Sequence, residues 1–186
     1  MTIQFTEKWD QYGLMAELAH RLKGVSPQLG KTVLQKLVYI LQEIYQVPCG
    51  YDYILYNYGP YSEALADDLS FFASMDGVKI DWSRRLGYEI KEAGKTAHFR
   101  KRGVEFLTKY TPQINEVIKE FGGMTAKELE LRSTILYVSK EEPLKEQDLL
   151  NRVKEIKPHF SVTEINSAYQ ELGRWLVGSQ KNGSCG

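Results

Sequence analysis

Few side chains in this 186-residue sequence are spaced for covalent chemistry. His20, His98 and His159 lie in three separate regions, and none stands at metal-ligand spacing from another His, Cys or carboxylate. Asp67 and Asp68 are adjacent carboxylates, but neighbouring residues on a helix point about 100° apart and do not converge on one substrate atom. Cys49, between Pro48 and Gly50, has no neighbour that would favour its thiolate, and Cys185 is 136 positions away. Glycine-rich phosphate loops, a nucleophile elbow and a zinc-protease helix are all missing from the sequence. The sequence therefore assigns no catalytic residue, no metal site and no cofactor, and the expectation is a protein that is not an enzyme.

Binding chemistry is better represented. Residues 1–78 hold 5 basic and 9 acidic residues, residues 79–102 hold 8 and 3, and residues 103–186 hold 11 and 12. The concentrated positive charge is thus Lys79, Arg84, Arg85, Lys91, Lys95, Arg100, Lys101 and Arg102. Such a run either solvates a surface or attracts phosphates. Upstream, Tyr51, Tyr53, Tyr56, Tyr58 and Tyr61 form a dense aromatic set. Tyrosines so spaced can stack bases, anchor a protein partner, or turn inward and use their hydroxyls on buried polar groups.

The elements that must position these groups are mostly helical. An apolar stripe from Trp9 to Leu22 predicts a helix over 7–23, ended by Gly24. A second helix over 31–46 has an apolar face wide enough for burial on more than one side. Residues 51–58 alternate as a strand or extended segment, and Gly59-Pro60 punctuates it. Ser62 is the expected N-cap of a third helix reaching Met75. Asp76-Gly77 then turns into a hairpin, 78–82 and 86–90, whose tip is Ser83-Arg84-Arg85. A long helix is expected over 101–121, kinked or split at Pro112. Thr125 with Glu128 has capping-box spacing before a helix over 126–140, helices over 145–156 and 163–177 follow, and Ser161 with Glu164 has the same spacing before the last.

The fold expectation is mainly α with a small β-hairpin: a winged-helix-like N-terminal unit plus a helical C-terminal part. The expected division is 1–122, a helical subdomain 123–178 packed on it, and a disordered tail 179–186. No apolar run approaches the roughly 20 residues that span a bilayer, and the cysteine usage suits a reducing compartment, so a cytoplasmic protein without membrane contact is expected.

The segment Leu34-Gln35-Lys36-Leu37-Val38-Tyr39-Ile40-Leu41-Gln42, followed by Tyr58-Gly59-Pro60-Tyr61-Ser62, resembles the YwgA-like bacterial and archaeal proteins. It is also distantly similar to the SocA-like antitoxin family called Panacea. Both share an L-x-K-L-x-Y helix and a Gly-Pro some twenty residues on, and Lys157-Pro158-His159-Phe160-Ser161 also looks YwgA-like. The YwgA-like group has no established activity, whereas the Panacea resemblance implies a protein that holds and neutralises a toxin, sometimes beside DNA-binding modules. Panacea proteins favour Trp before the Gly-Pro and Val after it; Asn57-Tyr58 and Tyr61 stand there instead.

Two functions follow as expectations. The first is a winged-helix-like regulator of transcription that binds DNA through Lys79, Arg84, Arg85, Arg100, Lys101 and Arg102. The third helix, with Glu63, Asp67 and Asp68 and no cation, is unsuited to a duplex, so the hairpin would lead. The second is an antitoxin-like or adaptor protein that binds a protein partner through Tyr58, Tyr61 and Lys36, with Lys36 reaching Asp67 or Asp68 as one pairing. The helical C-terminal part could also form a homodimer.

Overall fold

The computed structural model describes residues 8–84 and 87–180. Nine helices and two small antiparallel hairpins make up these residues, so the fold is mainly α with a small β component. The helices α1 (Lys8–Arg21) and α2 (Lys31–Glu43) come first. Strands β1 (Ile54–Tyr56) and β2 (Gly59–Tyr61) form a hairpin, α3 (Glu63–Ser74) follows, and β3 (Val78–Ser83) and β4 (Gly87–Glu92) form a second hairpin. The remainder is α4 (Thr96–Arg102), α5 (Val104–Lys109), α6 (Thr111–Phe121), α7 (Ala126–Glu141), α8 (Glu146–Ile156) and α9 (Val162–Gln180).

The centre of the molecule is α2. All residues from Val33 to Leu41 are buried, because α3, α6, α7, β2 and β4 surround the helix. This is the burial on several sides that the wide apolar face predicts. On one flank α1 packs against α3, α4, α5 and β4, and on the other α7 packs against α2, β2, α8 and α9. The three-helix-then-hairpin order of a winged-helix unit is present in α1, α2, α3 and β3–β4, with an additional hairpin inserted before α3.

Several caps match the sequence. Ser62 Oγ accepts from the Leu65 N–H, and Thr125 and Glu128 form the reciprocal capping box at α7. Ser161 and Glu164 do the same at α9.

Three expectations are corrected. The run 51–58 is not one strand ended by Gly59-Pro60: both residues lie inside β2, and the turn is Asn57-Tyr58. Proline is tolerated there because in a two-stranded sheet each strand has an open edge. The single helix expected over 101–121 is three helices starting at Thr96. Gly103 separates α4 from α5 where the chain crosses α1; a Cβ on Gly13 would fall 2.9 Å from Gly103 Cα. Pro112 stands in the first turn of α6, so the break expected at this proline is a split between α5 and α6. Finally, α9 extends to Gln180, past the expected start of the tail at 179, and 181–186 lie outside the described residues.

Candidate functional site

The basic hairpin is less free than its composition suggests. Lys79 Nζ lies 2.9 Å from Asp81 Oδ1, and Lys91 contacts Asp81 at 3.3 Å and Glu89 at 2.8 Å. These pairs arise from the strand register, which sets Lys79 opposite Lys91 and Asp81 opposite Glu89, with Lys79 and Asp81 on one face. Arg100 and Arg102 turn toward α1: Arg100 Nε donates to Glu17 Oε2 at 2.6 Å, and the Arg102 guanidinium stacks 4.3 Å over the Trp9 ring. Arg84 and Lys101 are exposed and enter none of the ion pairs among the described residues. Arg85, the other tip residue, lies outside the described residues. The five described residues among those expected to bind nucleic acid are therefore spread over a strand, a turn and a helix, and three of them already face partners.

The second set converges. The hairpin β1–β2 is held by side chains of α2 that stand in for strand neighbours. Gln35 Nε2 donates to Ser62 O at 2.8 Å, and Gln35 Oε1 accepts from Ser62 N at 3.0 Å. Two turns on, Gln42 repeats the grip on Tyr51, donating at 2.7 Å and accepting at 3.0 Å. Gln11 of α1 adds a bond to Cys49 O at 2.8 Å. Main-chain groups of Cys49, Tyr51 and Ser62, which flank the hairpin, are thus satisfied by glutamine side chains instead of a third strand.

Beneath the turn lies a buried charged group. Lys36 Nζ donates to Pro60 O at 2.6 Å, and the side chain is 2% exposed. From the far side Lys157 Nζ reaches Glu130 Oε1 at 2.7 Å and also donates to Asn57 O. His159 Nε2 lies 3.4 Å from the same Glu130 oxygen. Burial pushes the Lys36 amine down to about 7; the Lys157 ammonium acts in the same direction and Glu130 opposes it. Gly59 closes the arrangement. Its φ of +86° suits glycine, and a Cβ there would sit 3.0 Å from Thr134 Oγ1 and 3.2 Å from Ser133 Oγ of α7.

The pairing of Lys36 with Asp67 or Asp68 is not what forms. Asp68 is taken by Lys8, at 2.6 and 2.8 Å, and by the Tyr51 hydroxyl at 3.0 Å. Asp67 is exposed, and the amine of Lys36 goes to a backbone carbonyl instead. The cysteine is inert: Cys49 is buried, and burial with the nearby Glu43 charge pushes its thiol far above its ordinary range.

A cavity of about 280 Å³ opens beside this node, between the N-terminal half of α2, the first hairpin and α3. Leu34, Leu65 and Leu69 give it apolar walls, Tyr56, Tyr58 and Tyr61 stand around it, and Lys31 and Lys36 are its only charged lining residues among those described. Of the residues expected to bind a partner, Tyr58, Tyr61 and Lys36 are thus brought together. The tyrosine set divides: Tyr51 is buried, Tyr53 packs against the Tyr39 ring, and Tyr56 and Tyr58 are exposed. Gln35, Gln42, Glu130 and Lys157 belong to the same node. The seven-residue spacing of Gln35 and Gln42 inside an apolar helix is a readable signal, and Lys157 stands in the segment that looks YwgA-like; Glu130 gives none.

No group of His, Cys, Asp and Glu able to hold a metal occurs among the described residues. No described helix is long and apolar enough to cross a membrane. No protein-family model and no curated protein matches the chain.

Proposed function

We propose that this chain is a non-enzymatic protein-interaction module, of the antitoxin or adaptor kind, that takes an extended segment of a partner protein alongside β1. The observation that supports it most is the outer side of the first hairpin. Among the described residues β1 pairs with β2 alone, β2 is backed by α2 and α7, and Ile54, Tyr56 and Tyr58 are 62%, 57% and 65% exposed. An open strand edge offers unpaired N–H and C=O groups to an added strand, and tyrosine is enriched among residues that carry binding energy. The resemblance of this helix and turn to the Panacea antitoxins points the same way.

The test is capture of a stoichiometric partner from nuclease-treated native lysate by wild type, by Ile54→Asp with Tyr58→Ala, and by Arg84→Ala with Lys101→Ala. The first double substitution is expected to lower capture at least tenfold and the second to leave it unchanged. Capture that disappears with nuclease, or that depends on Arg84 and Lys101 alone, refutes the reading.

A second reading, DNA binding in transcription regulation, has its own support. Arg84 and Lys101 enter no ion pair among the described residues, and Trp82 and Tyr88 stand opposite each other, both exposed, on β3 and β4 beside the tip. A nucleic-acid shift assay across salt tests it. Binding whose salt slope becomes shallower in the Arg84→Ala, Lys101→Ala protein supports it, and no binding at low salt removes it.

A further inference from the structure

Among the described residues, Lys31 and Lys36 are the charged ones lining the cavity beside α2 and no carboxylate lines it; the Lys31 ammonium lies 4.2 Å over the ring of Tyr88, which is not part of the lining. Lys36 is bonded to Pro60 O, adjacent to the lining residue Gly59, and one carbonyl satisfies one of the three protons an ammonium carries. Behind it the buried polar node holds two lysines, Lys36 and Lys157, against the single carboxylate of Glu130. The remaining walls are leucines and tyrosine rings, and the volume of about 280 Å³ suits a body of one ring or a short chain.

We propose that this cavity binds a small carboxylic acid with an apolar body, the carboxylate facing Lys36 and the body lying on Leu34, Leu65 and Leu69. The acid supplies the negative charge that the node lacks, and a charge-assisted bond in a desolvated site is stronger than its neutral counterpart. The amide of the same acid fills the same apolar space without that charge. Binding is coupled to protonation. Lys157 and Glu130 face the Lys36 amine from α7 and the end of α8, His159 adjoins Glu130, and Lys31 shares the cavity. The hairpin contributes Tyr56, Tyr58 and Tyr61, whereas α3 contributes only Leu65, Ala66, Leu69 and Ser70. With its amine at about 7, Lys36 must take up a proton to hold an anion in mildly alkaline solution.

The experiment is isothermal titration of the full chain with phenylacetate, phenylacetamide and inorganic phosphate, at pH 6.5 and 8.5 and in buffers of different ionisation enthalpy. Phenylacetate is expected to bind at least tenfold more tightly than phenylacetamide at pH 6.5. At pH 8.5 it should weaken by about tenfold or more and take up close to one proton per molecule bound. Lys36→Met should abolish the preference for the acid over the amide; the proton uptake of the wild type decides the matter if that variant does not fold. Equal binding of acid and amide, absence of binding by both at millimolar concentration, tighter binding of phosphate, or acid binding without proton uptake overturns the proposal. Ile54 does not line the cavity, so Ile54→Asp should retain phenylacetate binding, and a failure of partner docking is read separately from a failure of this site.

Discussion

Replacement of Lys36 by Met tests the electrostatics of the buried node directly. Met keeps an unbranched, flexible side chain and removes the amine. The native amine titrates near 7 instead of its ordinary 10.5, and the group is 2% exposed, so solvent screening does not discount the shift. Between those two values the unfolded chain holds a proton that the native protein has lost, so wild-type stability rises with pH across the window. The rise is about 1.4 kcal/mol per pH unit, or about 2–3 kcal/mol between pH 7.5 and 9.5. Below about pH 7 the full penalty of roughly 5 kcal/mol opposes folding of the wild type. The Met protein lacks this dependence but leaves Pro60 O without its donor, a loss of about 1–3 kcal/mol. It is therefore expected to be the more stable protein at pH 6 and to lose that advantage progressively toward pH 9.5. Urea unfolding followed by tryptophan fluorescence at half-unit pH steps measures both curves, and titrations common to the two proteins cancel in their difference. Parallel curves would refute the reasoning, because they would mean that Lys36 keeps an ordinary proton affinity in the folded state.

Other substitutions probe the remaining contacts by the same unfolding measurement. Gly59→Ala should lose about 2–3 kcal/mol, from the left-handed backbone and the close approach of α7, with part regained when Thr134→Ala is added. Glu130→Gln leaves Lys36 and Lys157 without their carboxylate and should cost about 3–5 kcal/mol at pH 7, less at pH 9.5 where Lys36 is neutral. Thr125→Ala removes the capping box of α7 and should cost about 1 kcal/mol. In a Cys185→Ser background, Cys49 should resist a thiol reagent in the native protein at pH 8 and react fully in denaturant, since the raised thiol pKa and its burial both suppress the thiolate; rapid native labelling contradicts that packing.

The parts of the fold that were legible are those governed by local chemistry. The apolar width of α2, the caps at Ser62, Thr125 and Ser161, and the β3–β4 hairpin all follow from residues a few positions apart. The first hairpin was obscured because its turn, Asn57-Tyr58, carries no glycine while Gly59-Pro60 beside it carries the strongest breaker signal in the region. The break between α5 and α6 is marked by Pro112, whereas the break between α4 and α5 is not legible, because Gly103 is placed by its crossing with Gly13, ninety positions earlier. At the site, Lys36 could be singled out, but its acceptor is a main-chain carbonyl, which every residue carries and none advertises. Glu130 and Lys157 come from elements about a hundred residues downstream and look like ordinary surface charge in a helix and a loop.

The glutamine grip on the first hairpin has a consequence for the order of assembly. Gln42 reaches Tyr51 across 9 residues and Gln35 reaches Ser62 across 27, whereas Lys157 reaches Asn57 across 100. Short closures lose less chain entropy and form sooner than long ones. The hairpin can therefore settle on α2 while Lys36 is still in water, and the amine is desolvated only when α7 and the segment after α8 arrive. The burden of burying that charge falls on the docking of α7, so acid conditions should favour the departure of α7 over the opening of the α2–hairpin contacts.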